Sequence, residues 1–246
     1  MRYLSFIFIL TVLTAQSTLD ATFQDANALM QQERYEESAA KYERILSQGF
    51  EHADLYYNLG NAYYRSGQNG LAIWAYEKAR QLNPRDDDIS YNLSIAQTQV
   101  RDRIDMPETL FVVEWYRWLK SGFTLKQWIW IGLGGFLLSA FLFNLGSFLH
   151  LTVLRNQIVL AVVFIALISH MIALDKYWEF SDTREAIITD MEIFAYSAPF
   201  ERSDDILFKI HEGVKVEIIQ SQPEWSEIIL LDGKKGWIRS DTYRNL

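Results

Sequence analysis

The sequence predicts a multi-domain membrane protein: an all-α helical-repeat solenoid, a two-helix transmembrane hairpin and a small all-β barrel. Three observations carry that prediction. Residues between about 20 and 103 echo one another at an interval of 34. Two long uncharged apolar runs follow, about 127–151 and 158–174. From residue 183 the pattern changes to short β-rich runs punctuated by Gly, Pro and Asp-Gly.

The chain opens with MRYLSFIFILTVLTAQS. Arg2 precedes an apolar run to Leu13, and small and polar residues come next. That is the layout of a secretory signal, assigned to residues 1–17, with cleavage near Ala15 to Ser17. The alternative is an uncleaved N-terminal anchor. With no cysteine in the chain it is not a lipoprotein signal.

Residues 18–103 carry the repeats. In 53–86, Tyr56, Leu59, Gly60 and Tyr63 are spaced for one helix. Ala72, Tyr76 and Ala79 are spaced for a second, and Pro84 closes the unit because it lacks the N–H a helix needs. This pattern is that of the tetratricopeptide repeat. Thirty-four residues earlier, Ala26, Tyr42 and Ile45 stand where Gly60, Tyr76 and Ala79 do; 34 later, Tyr57-Asn58-Leu59 recurs as Tyr91-Asn92-Leu93. Two full repeats and one extra helix are expected. A repeat cannot bury its own apolar face, so the end near residue 100 must pack on something else. In this repeat family the side of the first helix bearing Asp54, Tyr57, Asn61 and Tyr64 is concave and faces ligand. With Asn27, Asn58 and Asn92 these residues form the candidate peptide groove, since an amide can bond both N–H and C=O of an extended chain. Some family members capture a C-terminal carboxylate with Asn and Lys. Phe23 and Asp88 occupy two of those cationic places here, which argues against carboxylate capture. The alternative is that the asparagines satisfy helix ends and neighbours. Asp86-Asp87-Asp88 reads as the acidic start of the next helix, where the backbone dipole favours negative charge.

Residues 104–126 form an amphipathic, Trp-rich segment. Leu110, Phe111, Trp115, Trp118 and Leu119 share a stripe, and Glu114, Arg117 and Lys120 lie on another. A helix lying in the membrane interface is expected, or one that caps the repeat stack. Residues 127–175 form the hairpin. At about 1.5 Å per residue the first run spans a hydrocarbon core of roughly 30 Å, and the second is near the lower limit. Two spans return the chain to its starting side. The signal therefore places 18–126 and 176–246 outside the cytoplasm, with Arg155 in the turn agreeing weakly with positive-inside and Lys120, Lys126 and Lys176 counting against it.

Residues 183–246 show six strand-like runs: 185–189, 192–196, 206–210, 214–219, 226–231 and 235–239. Gly213, Trp225, Asp232-Gly233 and Gly236-Trp237 resemble the recurring residues of bacterial SH3 domains. That resemblance implies a small barrel, which in envelope proteins sometimes holds wall peptides or Pro-rich segments. Trp225, Trp237 and Tyr243 are its candidate ligand surface, or else are core.

Net charge is −8. The acids lie in the two soluble regions, whereas 109–174 holds Glu114 against Arg117, Lys120, Lys126 and Arg155. Acidic domains argue against nucleic-acid binding, and the bases near the spans suit a lipid bilayer. Zero cysteine excludes thiolate chemistry. His52, His150, His170 and His211 have no ligand spacing, and neither a phosphate loop nor a His–acid–nucleophile set is present. No catalytic residue, cofactor or metal is assigned, and the chain reads as a non-enzyme.

The whole arrangement resembles the BatE family of Bacteroides aerotolerance proteins, most closely in LYYNLGNAYYRSGQNGLAIWAYEKARQLNPRDDDISYNL, residues 55–93. The resemblance implies a part of a bacterial inner-membrane complex with von Willebrand-type membrane proteins and a MoxR-type ATPase, linked to oxidative-stress tolerance. The expected function is a membrane-anchored protein–protein interaction scaffold with both soluble regions in the periplasm. The alternative is a wall-sensing receptor that binds peptidoglycan peptide through the SH3-like region.

Overall fold

The computed structural model describes residues 19–102, 104, 110–148, 152–182 and 184–246. The signal assigned to 1–17 lies outside them. The described residues form two compact units. One joins those up to Ile104 with Glu185–Leu246, and the other comprises 110–184.

The first unit begins with five helices: α1 (19–31), α2 (Tyr35–Leu46), α3 (Ala53–Arg65), α4 (Asn69–Leu82) and α5 (Asp87–Thr98). They make two helical hairpins and one further helix, stacked in chain order. Leu59, Gly60, Ala72, Tyr76 and Ala79 are buried, as the repeat pattern requires. A side chain at Gly60 would place its Cβ 2.6 Å from the Tyr76 ring, so glycine is what lets α3 and α4 close on one another. His52 caps α3, its Nδ1 accepting from the Asp54 amide at 3.2 Å. Asp86 caps α5 by accepting from the amides of Asp88 and Ile89 at 3.1 and 3.2 Å, so the acidic triplet opens a helix.

The strands follow in the same unit: β1 (Glu185–Ile188), β2 (Glu192–Tyr196), β3 (Ile206–His211), β4 (Lys215–Ser221), β5 (Trp225–Leu230), β6 (Lys235–Arg239) and β7 (Tyr243–Asn245). They form one sheet in the order β3-β2-β6-β5-β4-β1-β7. The closed barrel expected from the sequence is not found, because β3 and β7 remain as edges. Both edges are instead met by the repeat region. Trp74 Nε1 on α4 donates to the Asn245 carbonyl at 2.9 Å, and Asp102 accepts from the His211 amide at 2.6 Å. An edge covered in this way is no template for stray pairing.

Strand alternation sets two faces. Ala186, Ile188, Ile193, Ala195, Ile210, Val216, Ile228 and Ile238 form the sheet's own core, whereas Ile187 on the other side of β1 joins the core of the repeats. Fully burying Ile187 and Ile73 stabilises by about 1.5–3 kcal/mol each. Gly213, with φ +86°, lets the β3–β4 turn approach Ile73 and Val100; a Cβ there would lie 2.7 and 2.8 Å from their methyl groups. The end of the stack near residue 100 thus packs on the sheet, and α4 is covered on both sides. Tyr76 faces α3, while Gly70, Ile73 and Trp74 face the strands.

The second unit holds α6 (Phe111–Ser121), α7 (Leu125–Phe148) and α8 (Thr152–Asp182). Leu125–Phe148 and Arg155–Glu179 are long and apolar enough to cross a membrane. They pack as a hairpin in which Ser169 Oγ donates to the Trp128 carbonyl at 2.7 Å and His170 lies 5.4 Å from the Phe136 ring. Polar contacts tie α6 to the end of α8. Tyr116 donates to Asp175 at 2.7 Å, and Lys120 reaches Asp175 and Glu179, both at 2.7 Å. Phe111, Val112, Trp115 and Trp118 on α6 remain exposed.

Candidate functional site

The groove is formed by the first helices of the stack. Its walls come from all three: a cleft there is lined by Phe23 of α1, by Asp54, Tyr57 and Asn58 of α3, and by Asp86, Asp88 and Ile89 at the start of α5. The second helices lie behind, where the sheet packs on α4. The cleft therefore lies on the side of the stack away from the sheet.

The floor is a hydrogen-bonded lattice that repeats with the sequence. Tyr42 Oη donates to Asn27 Oδ1 at 2.5 Å, and 34 residues on Tyr76 Oη donates to Asn61 Oδ1 at 2.8 Å. The rings repeat too: Phe23 lies 5.7 Å from Tyr42, and Tyr57 lies 6.1 Å from Tyr76. Asn92 Nδ2 bridges α5 to α3, donating to Asn61 Oδ1 at 2.9 Å and to Tyr57 Oη at 3.1 Å. Gln99 donates to Tyr64 Oη at 2.5 Å. Burial pushes the Tyr76 hydroxyl well above the ordinary tyrosine range, with Tyr57 and Tyr64 adding to the effect.

The predicted groove residues therefore divide. Asn27, Asn61, Asn92 and Tyr64 spend hydrogen bonds on neighbouring helices. Asp54 and Asn58 turn to the cleft, and Tyr57 does both. Asp20, Phe23, Gln24, Asp88 and Tyr91, outside the predicted set, complete the pattern. Asp20, Asp54 and Asp88 stand 34 apart, as do Phe23, Tyr57 and Tyr91, and Gln24, Asn58 and Asn92. Each first helix carries Asp, then an aromatic three residues on, then an amide. The signal lay in the same echo that revealed the repeats. Neither Asp54 nor Asp88 pairs with Lys or Arg among the described residues; the nearest partner of Asp54 is His52 at 3.6 Å.

The second set is not brought together. Trp225 pairs across the strands with Arg239, and Glu227 with Trp237, so both tryptophans share one face. Tyr196 joins them, its ring 5.6 Å from Trp225. Tyr243 lies on the other face, packed against the sheet core with its hydroxyl 2.8 Å from Ser226 Oγ. Trp225 is buried, at 8% exposure, and Trp237 is half-buried.

Residues 60–99 match the family model described as TPR repeat. The chain carries a TPR repeat. The match covers the end of α3 and all of α4 and α5. No curated protein matches the chain. One similar solved structure is YrrB, described as a TPR protein with an unusual peptide-binding site. It is 20% identical, with a TM-score of 0.32, over 66% of this chain and 76% of that one.

Proposed function

We propose that the protein is a membrane-anchored scaffold whose repeat groove holds an extended segment of a protein partner. One observation carries this reading: a cleft is lined by α1, α3 and the start of α5 with no strand residue in its lining, while the sheet packs on α4. A surface kept open by a fold that buries the rest of its repeats is the expected place for a ligand. Anchoring rests on Leu125–Phe148 and Arg155–Glu179, with the exposed Trp115 and Trp118 of α6 at headgroup depth. The packing of 19–104 with Glu185–Leu246 supports two spans, because segments in one body share a compartment. The periplasm is assigned from the N-terminal signal. The BatE resemblance supplies the proposed setting: an inner-membrane complex with von Willebrand-type proteins, serving aerotolerance. Wall peptide binding is the weaker reading, since Tyr243 faces away from Trp225 and Trp237.

Crosslinking in cells followed by purification tests the groove. Asn58→Ala and Tyr91→Ala should deplete the recovered partner several-fold without loss of folded protein. Asn61 is a poor probe because its amide is part of the lattice. Undiminished recovery with both variants would remove the groove from the account.

A further inference from the structure

The open face also carries information about what it binds. Its three helices present few positive charges. Residues 19–31 and Asp87–Thr98 contain no Lys or Arg, and Ala53–Arg65 contains only Arg65, at its far end. Among the described residues, the stack's other bases are Lys41, Arg44, Lys78 and Arg80 on the second helices, and Arg34, Arg85 and Arg101 between or after helices. Along the face, Asp20, Asp54 and Asp88 are exposed at equivalent positions of α1, α3 and α5. Beside each carboxylate stands an aromatic ring one helical turn on: Phe23 and Tyr57 half-buried, Tyr91 65% exposed. Such rings accept the aliphatic stem and charged head of Lys or Arg.

We propose that the groove selects a cationic extended segment, with a Lys or Arg at every third position. The inference rests on the scaffold reading above and deepens it. The spacing follows from geometry. The first helices meet through side chains, Asn92 of α5 bonding Asn61 and Tyr57 of α3, so they stand about one helix diameter, roughly 10 Å, apart, and an extended chain advances about 3.3 Å per residue. Three residues therefore carry a ligand from one Asp–aromatic pair to the next. Carboxylate capture is disfavoured by the same residues, because an anionic terminus would meet Asp54 and Asp88.

The test uses the full-length protein in detergent micelles and immobilised nine-residue peptides of otherwise neutral sequence. One carries Lys at positions 2, 5 and 8, one at 2, 4 and 6, one has Glu at 2, 5 and 8, and one is wholly neutral. The first should bind best and weaken as salt rises. Asp54→Asn and Asp88→Asn should each weaken it about two- to fivefold. Glu36→Gln, which removes a charge from α2, should not. Equal binding of the two Lys peptides, or equal weakening by Glu36→Gln, would overturn the spacing and leave only general attraction to an acidic protein. Preference for the neutral or Glu peptide, lost in Tyr91→Ala, would overturn the cationic inference while keeping the groove. Binding of no peptide, together with undiminished partner recovery in cells, would overturn both.

Discussion

Glu212, on the turn between β3 and β4, accepts the backbone hydrogen of Gly70 through Oε2 at 2.7 Å, across 142 residues of sequence. The side chain of Gln68, the residue before α4, makes no cap of its own. The strands therefore supply the anionic cap that the start of α4 lacks, and the positive end of the helix dipole favours it. Removing it by Glu212→Ala should cost about 1 kcal/mol. Hydrogen exchange of the amides at 70–73 should quicken about fivefold, with Glu212→Gln between. Unchanged exchange would show that the contact is not a cap.

Asn58 and Asn61 are neighbours on α3 with opposite duties. Asn61 Oδ1 accepts from Tyr76 and from Asn92. Asn61→Ala should destabilise the first unit by about 1–3 kcal/mol, because two donors lose their acceptor. Asn58→Ala should leave stability within about 0.5 kcal/mol. Chemical unfolding of both variants, followed by tryptophan fluorescence, separates them; equal losses would refute the division of roles.

Tyr56, Tyr63 and Tyr76 share an alkaline liability. In each, burial pushes the hydroxyl upward, and the carboxylates of Glu51 and Glu43 add to the effect at Tyr56 and Tyr63. Their folded values lie above the ordinary tyrosine value of about 10. Between the two values the unfolded chain releases protons that the folded chain keeps, so stability falls as pH rises. The melting temperature should be flat with respect to these groups from about pH 7 to 9 and decline above about 10. Tyr63→Phe should make that decline shallower. An unaltered slope would exclude Tyr63 as a contributor.

Alkaline phosphatase fusions after Arg103, Arg155 and Leu246 test the proposed orientation. Activity should be high, low and high in that order. Low activity after Leu246 with high activity after Arg103 would contradict the shared compartment that one compact unit demands. The reverse order at all three sites would move the groove to the cytoplasm.

Much of this was legible in advance because it is periodic. Gly60, Ala72 and Tyr76 announce a helical hairpin, since close approach admits few alternatives, and the short β-rich runs at 206–210 and 235–239, set off by turn residues such as Gly213 and Asp232-Gly233, announce strands. β7 was missed because Tyr243–Asn245 is too short to show a period. Sheet closure was wrongly expected because strand spacing alone does not reveal what covers an edge. Nothing local in Trp74 or Asp102 says that their partners are Asn245 and His211. Residue type and the 34-residue echo picked out Asp54, Tyr57, Asn58, Asn61 and Asn92, which lie together on α3 and α5. Which amides were free and which were held by Tyr42, Tyr76 or Tyr57 depended on contacts between helices.

The contacts that join helices to strands have a consequence for the order of events during synthesis. Gly70 waits for Glu212, Trp74 for Asn245, and Glu43 for Arg244, which is 201 residues away. A ribosome adds about 5–20 residues per second. The back of the repeat stack, with Ile73 and Trp74, therefore lies bare for roughly 7–34 s while the hairpin and then the strands are made. Chain closure over so long a loop is slow, and a bare apolar surface is prone to aggregation during that interval. The nascent repeats thus need either a chaperone or prompt delivery of the C-terminal strands, and a chain interrupted within Thr152–Asp182 would never acquire the surface that completes them.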